Sequence, residues 1–169
     1  MIGPVGEWVI RQACMDTASW PKHLRVAVNL SPVQFKSETL GPDVIKALNQ
    51  SGLLPSRLEL EITESVLLTA NESIITLLHQ LRDLGVRIAM DDFGTGYSSI
   101  SYLRSFPFDK IKIDRSFVSK IAGSDNSAAI VQAISAMGAS LGMSTTAEGV
   151  ETLDQLRKVR EHGCTVRTR

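Results

Sequence analysis

Cysteine is nearly absent: Cys14 and Cys164 lie at opposite ends of 169 residues, in no Cys-x-x-Cys or Cys/His spacing. A disulfide framework and a structural zinc site are therefore disfavoured, and two buried, reduced thiols are expected. Net charge is lacking too. The 18 basic and 18 acidic side chains cancel, which argues against a nucleic-acid footprint or a basic membrane patch. No apolar run is long enough to span a bilayer, and the first ten residues lack the basic start of a signal peptide. His23, His79 and His162 are scattered, with no i, i+4 partner, and read as surface or core histidines. Low-complexity tracts and linkers are missing as well, which leaves one domain. These absences point to a cytoplasmic protein with no DNA partner and no direct insertion into membrane.

What is present is ordinary globular composition, 43% hydrophobic and 21% charged, patterned as alternating helices and strands. Val5 to Ser19 reads as a helix with Trp8, Val9, Ala13 and Ala18 near one face, ended by Pro21. Leu24 to Leu30 reads as a strand broken by Ser31-Pro32. Pro42 and Asp43 open a helix that Gly52 closes. Leu58 to Glu64 is a second strand, strictly alternating, and Asn71 caps a helix with Ile74, Ile75, Leu78 and Leu81 inward. Arg87 to Asp92 is an apolar run expected to form a strand buried on both faces. A short helix from Ser98 or Ser99 through Leu103 follows. Lys110 to Asp114 is the fourth strand. Ser124-Asp125 caps a long helix with a stripe of Ile130, Ala133, Ile134, Met137 and Leu141. Ser144 to Gly149 is the fifth strand, and Thr152-x-x-Gln155 is a capping box for the last helix. This rhythm predicts an α/β fold: a parallel, partial TIM-like (β/α) barrel of about five strands alternating with helices.

The strands end in chemistry. Asp91-Asp92-Phe93-Gly94-Thr95-Gly96-Tyr97 carries two acids into a Gly-x-Gly turn, where glycine allows tight turning and a close ligand. The other strand ends carry Asn29, then Glu61 and Glu64, then Lys112 and Asp114, then Glu148 and Glu151. In a parallel barrel such positions share one mouth. Carboxylates at this density need compensation, and hard oxygen ligands suit Mg²⁺ or Mn²⁺. Bridging carboxylates that hold two ions serve phosphoryl displacement. A lysine among them can pair with the acids, hold a water or neutralise a phosphate. An enolase-like barrel, in which a lysine abstracts a proton beside Mg²⁺, uses similar residues; the adjacent Asp91-Asp92 pair suits two bridged ions better.

Five segments together resemble the EAL-domain family: Val28-Asn29-Leu30-Ser31-Pro32, Glu61-Ile62-Thr63-Glu64, Asp91 to Tyr97, Lys110-Ile111-Lys112-Ile113-Asp114-Arg115 and Ala147-Glu148-Gly149-Val150-Glu151. They occur in the family's order and at its spacing. The resemblance implies a modified TIM barrel that hydrolyses the bacterial second messenger cyclic di-GMP to linear pGpG with two Mg²⁺ or Mn²⁺ ions. It implies metal ligands at Asn29, Glu61, Asp91, Asp92 and Glu148, and a water-positioning Lys112. It further implies that Glu64 anchors the Asp92–Tyr97 loop and that Glu151 is an outer or substrate-side carboxylate.

Two departures go with it. The family's name-giving Glu-Ala-Leu strand, whose Glu is a ligand, has no counterpart here. After Gly163-Cys164, the stretch Thr165-Val166-Arg167-Thr168-Arg169 does not match the family either. Residues 1–169 thus read as a single truncated EAL-type domain. Open sheet edges are expected beside Val26–Leu30 and Thr145–Gly149, hence a homodimer or larger species. Cyclic di-GMP is the expected small-molecule partner, and this chain alone is expected to hydrolyse it weakly or not at all. The alternative is a catalytically degenerate EAL-type module that binds cyclic di-GMP or a protein.

Overall fold

The computed structural model describes residues 2–68, 71–94, 103 and 105–166. The chain forms two compact units, one of residues 1–88 with 105–107, the other of residues 89–104 with 108–169.

The first unit begins with helix α1 (Ile2–Ala18), followed by strand β1 (Val26–Leu30), a 3-10 turn at Gln34–Lys36 and helix α2 (Leu40–Ser51). Strand β2 (Leu58–Thr63) pairs in parallel with β1, with Asn29 opposite Glu61. Helices α3 (Glu64–Leu68) and α4 (Glu72–Asp83) lead to strand β3 (Arg87–Phe93), whose first two residues belong to this unit. Local chemistry sets the helix ends. Gly52 closes α2 at φ 66, a conformation that glycine adopts without a Cβ clash. The Asn71 side chain accepts from the Ile74 amide to start α4, as its position predicts. One buried guanidinium ties the end of α1 to β2. Arg57 donates to the carbonyls of Thr17 and Leu24 at 2.8 Å each, and to Pro21 and Trp20 at 3.2 and 3.3 Å.

The second unit holds the rest of β3, then β4 (Lys110–Ile113), a short helix α5 (Arg115–Val118), helix α6 (Asp125–Ser140), β5 (Ser144–Ala147), helix α7 (Leu153–Glu161) and β6 (Thr165–Val166). Pairing is parallel throughout: β3 with β4, β4 with β5, β5 with β6. The expected capping box forms at α7, with Thr152 Oγ1 accepting from the Gln155 amide and the Gln155 side chain accepting from the Thr152 amide.

Several sequence expectations need correction. The face of α1 that turns inward is Ile10, Cys14 and Thr17, while Trp8 is 53% exposed and Val9 and Ala18 also face out. The helix is hydrophobic on two sides, so periodicity alone picked the wrong one. The inward stripe of α6 is Val131, Ile134, Ser135 and Gly138; Ile130 and Ala133 are exposed. Small residues win there because the strands approach closely: a Cβ on Gly138 would meet Thr145 Cγ2 at 2.7 Å. Strand β2 is buried from Leu58 to Ile62, Glu59 and Glu61 included, so its alternation marks two covered faces and not one wet one. Helix α3 grows directly out of β2, where no helix was expected. The edge of β5 is covered: Thr146 and Ala147 pair with Thr165 and Val166 of β6. The short helix expected from Ser98 or Ser99 lies outside the described residues. Cys14 and Cys164 are free and buried, and burial pushes the Cys14 thiol up to about 11.

Candidate metal centre

Strand β3 has a burial pattern in which Ile88, Ala89 and Met90 are fully covered and Asp91 remains 8% exposed. Consecutive residues on a strand point to opposite faces, so two adjacent acids cannot serve one site on a regular strand. Here the pairing with β4 slips between Met90 and Phe93, and Asp92 adopts φ 54. A positive φ is uncommon outside glycine but tolerated by Asp. It folds the chain back so that the Asp92 amide donates to Asp91 Oδ1 at 3.0 Å. Carboxylate oxygens of Asp91, Asp92 and Glu148 then lie within 4.8 Å of one another.

Lys112 closes the arrangement. Strand β4 points its side chain into the cluster, where Nζ lies 2.9 Å from Asp91 Oδ1 and 2.9 Å from Glu148 Oε1. Glu148 stands just past the end of β5, its amide donating to the Ile113 carbonyl at 3.2 Å. The electrostatics follow from crowding. Burial raises the Asp92 pKa first, the charges of Asp91, Asp114 and Glu148 raise it further, and Lys112 opposes them.

The other anticipated residues fall as follows. In the first unit, Asn29 and Glu61 are register partners at the C-terminal ends of β1 and β2, Asn29 exposed and Glu61 4% exposed. Glu64, also buried, is the first residue of α3. In the second unit, Glu151 is exposed, and its amide donates to Gln155 Oε1 at 2.8 Å. The group of three acids that converges among the described residues does not include it. Asp114, expected at the site with Lys112, is near enough for its charge to act on Asp92, and it also caps α5: its Oδ1 accepts from the Ser116 amide at 2.9 Å. Burial raises the Asp114 pKa, but hydrogen bonds from Ser116 and from the Arg115 amide, with the Arg115 charge, outweigh this and leave it lowered. The Asp-x-Ser spacing after a strand was the sequence signal for that cap. Glu59 is a buried acid that the sequence reading passed over; it lies 3.8 Å from Arg87 Nε.

The donor set is all carboxylate oxygen, with no sulfur or imidazole, and three such oxygens in so small a space fit a hard divalent cation. The EAL domain family model matches residues 1–167. The chain belongs to the EAL domain family. Among its relatives, cyclic di-GMP phosphodiesterase NbdA of Pseudomonas aeruginosa is 45% identical over 168 residues, 97% of this chain and 22% of that protein. The solved PaMucR phosphodiesterase in complex with c-di-GMP superposes with a TM-score of 0.92 at 41% identity. That match covers 98% of this chain and 69% of the other. A manganese and cyclic di-GMP complex of Klebsiella pneumoniae BlrP1 matches with a TM-score of 0.85 and 31% identity, over 94% of this chain and 41% of that one. Parallel strands alternating with helices are thus those of a partial TIM-like barrel of EAL type. The chain spans about a fifth of the length of the curated relatives it matches first, at 20% each. No described helix is long and apolar enough to cross a membrane.

Proposed function

We propose that this EAL-type domain is a cyclic di-GMP phosphodiesterase, hydrolysing one phosphodiester bond to give linear pGpG. The observation that carries the reading is the Lys112 ammonium set between Asp91 and Glu148, with Asp92 beside them. It is supported by similarity to proteins named for this activity. Asp91, Asp92 and Glu148 would hold a Mg²⁺ or Mn²⁺ ion, and Asn29 and Glu61, register partners in the first unit, would serve as metal ligands there. Cations held there would supply Lewis acidity toward the phosphodiester and would make a water more acidic.

The chain's own residues do the rest. Asp91 and Asp92 are aimed together by the bulge, so the carboxylates meet a cation with little reorganisation. Lys112 brings a fixed positive charge within reach of the phosphodiester oxygens and the incoming water. Burial strengthens that charge relative to a surface lysine, because little water screens it. Glu64 and Glu151 act at one remove, as loop anchor and outer carboxylate. A homodimer is the proposed assembly, checked by light scattering over a concentration series; a monomer at every concentration refutes it.

The test of activity is incubation of the chain with cyclic di-GMP and Mn²⁺, with pGpG resolved by chromatography. Lys112→Met is expected to abolish product while leaving nucleotide affinity nearly unchanged, the signature of lost transition-state stabilisation. Tight binding without product, in the unaltered chain, makes this a cyclic dinucleotide-binding module instead.

A further inference from the structure

The short helix α5 touches the chain beside each acid-bearing end of the second unit. Arg115 stands against Gly149, the residue after Glu148. Gly149 has φ 68, and a Cβ built on it would lie 2.8 Å from Arg115 Cβ and 3.6 Å from its Cα. Phe117 stands against Gly94, two residues after Asp92. Gly94 has φ 100, and a Cβ there would lie 2.9 Å from Phe117 Cε2 and 3.3 Å from Cζ. The end of α5 is tied down as well, since the Ser119 carbonyl accepts from Gln155 Nε2 at 3.3 Å. The other end of that amide accepts from the Glu151 and Thr152 amides at 2.8 and 3.1 Å. Helix α5 itself begins three residues after Lys112, and is started by the Asp114 cap and anchored by the fully buried Val118.

We infer that α5 is a bracket for the acid cluster, with Arg115 and Phe117 as positioning residues that set Glu148 and the Asp91–Asp92 turn at their working separation around Lys112. The inference rests on the proposed metal-dependent phosphodiesterase reading. Its physical basis is that both turns leave their strands through a left-handed glycine, which has no side chain of its own to hold it in place. In each turn a side chain of α5 fills the space a Cβ would take. Residues that support ligands from behind in this way change metal affinity or activity by about 10- to 100-fold when altered.

The decisive comparison uses two glycines of similar strain. Gly142 has φ 73, with nothing within 4 Å of a built Cβ. Gly142→Ala therefore carries the backbone penalty without a steric one. Mn²⁺ affinity of the whole chain, measured by calorimetric titration without nucleotide, is expected to be unchanged in Gly142→Ala and to fall about tenfold or more in Gly149→Ala. Arg115→Gly, made alone, removes the side chain that stands against Gly149 and is expected to weaken Mn²⁺ binding as well. Phe117→Ala should weaken Mn²⁺ binding in the same direction, with Phe117→Leu close to the unaltered chain. In turnover, the fall should be in kcat, with KM little moved. If Gly149→Ala does not fold, the Phe117 pair decides alone. Mn²⁺ affinities of Gly149→Ala and Phe117→Ala equal to that of Gly142→Ala overturn the bracket, whether or not the chain is active. An unaltered chain that binds Mn²⁺ but yields no pGpG overturns the phosphodiesterase reading and leaves the affinity series to judge α5. Failure of the unaltered chain to bind Mn²⁺ removes both.

Discussion

Replacing Lys112 by Met keeps most of the unbranched side chain and removes its charge. Two carboxylates then face each other without their shared cation. Their oxygens lie within 4.8 Å, and at an effective dielectric of about 20 such a pair repels by about 3 kcal/mol. A second route gives a similar figure. Lys112 is 6% exposed and Asp91 11% at the side chain, and removing one partner of a buried pair costs about 3–5 kcal/mol. Glu148 is 31% exposed at the side chain, so solvent screens its share and the lower end of that range applies. About 3 kcal/mol in a chain of this size lowers Tm by roughly 6–12 °C. The assay is thermal unfolding of both proteins in EDTA, then in millimolar Mn²⁺. In EDTA the variant should melt well below the parent; in Mn²⁺ the gap should narrow, because the cation takes over the neutralising role. Equal melting in EDTA would refute the reasoning, since it would mean that Lys112 does not stabilise the acids. A gap that Mn²⁺ leaves intact would refute the idea that cation and lysine act on the same carboxylates.

Three further outcomes are expected. Asp91→Asn should abolish most of the Mn²⁺-dependent rise in Tm, which for saturation a hundredfold above Kd corresponds to about 2.7 kcal/mol; an undiminished rise places the ion elsewhere. Asp114 has a folded pKa below its ordinary 3.8, so its stabilisation is complete above that value and is lost as pH falls through the folded pKa. Melting curves taken from above 3.8 to well below it should therefore fall less steeply in Asp114→Asn than in the parent, and parallel slopes count against the cap. Arg57→Lys cannot reproduce a fork that serves four carbonyls, and should cost about 2–3 kcal/mol in urea unfolding at unchanged m-value; a loss below 1 kcal/mol would show that those carbonyls are satisfied without it.

The strand ends were legible because parallel strands and their glycine turns write themselves into local sequence. An apolar run, an acid and a glycine suffice to mark the end of β3, and Thr152-x-x-Gln155 suffices to mark the start of α7. Asn29, Glu61, Asp91, Lys112 and Glu148 were picked out on those grounds together with family resemblance. Which face of α1 or α6 turns inward was not legible. Trp8 is more hydrophobic than Thr17, yet Thr17 is buried and Trp8 exposed, because the choice depends on what each face meets in space.

The geometry of the acids was beyond sequence as well. Adjacent residues on a regular strand diverge, and only the slipped register and the φ of Asp92 bring Asp91 and Asp92 to one place. Asp114 adds a second case: spacing put it with Lys112, its charge does act on Asp92, and its carboxylate also caps α5 through the Ser116 amide. Sequence by itself determined the residue types, the order of the elements and the ends where chemistry gathers, all of them set by local sterics and hydrophobic period. Tertiary structure decided which acids meet, which lysine stands between them and which small helix braces their turns, because those are contacts between segments far apart in the chain.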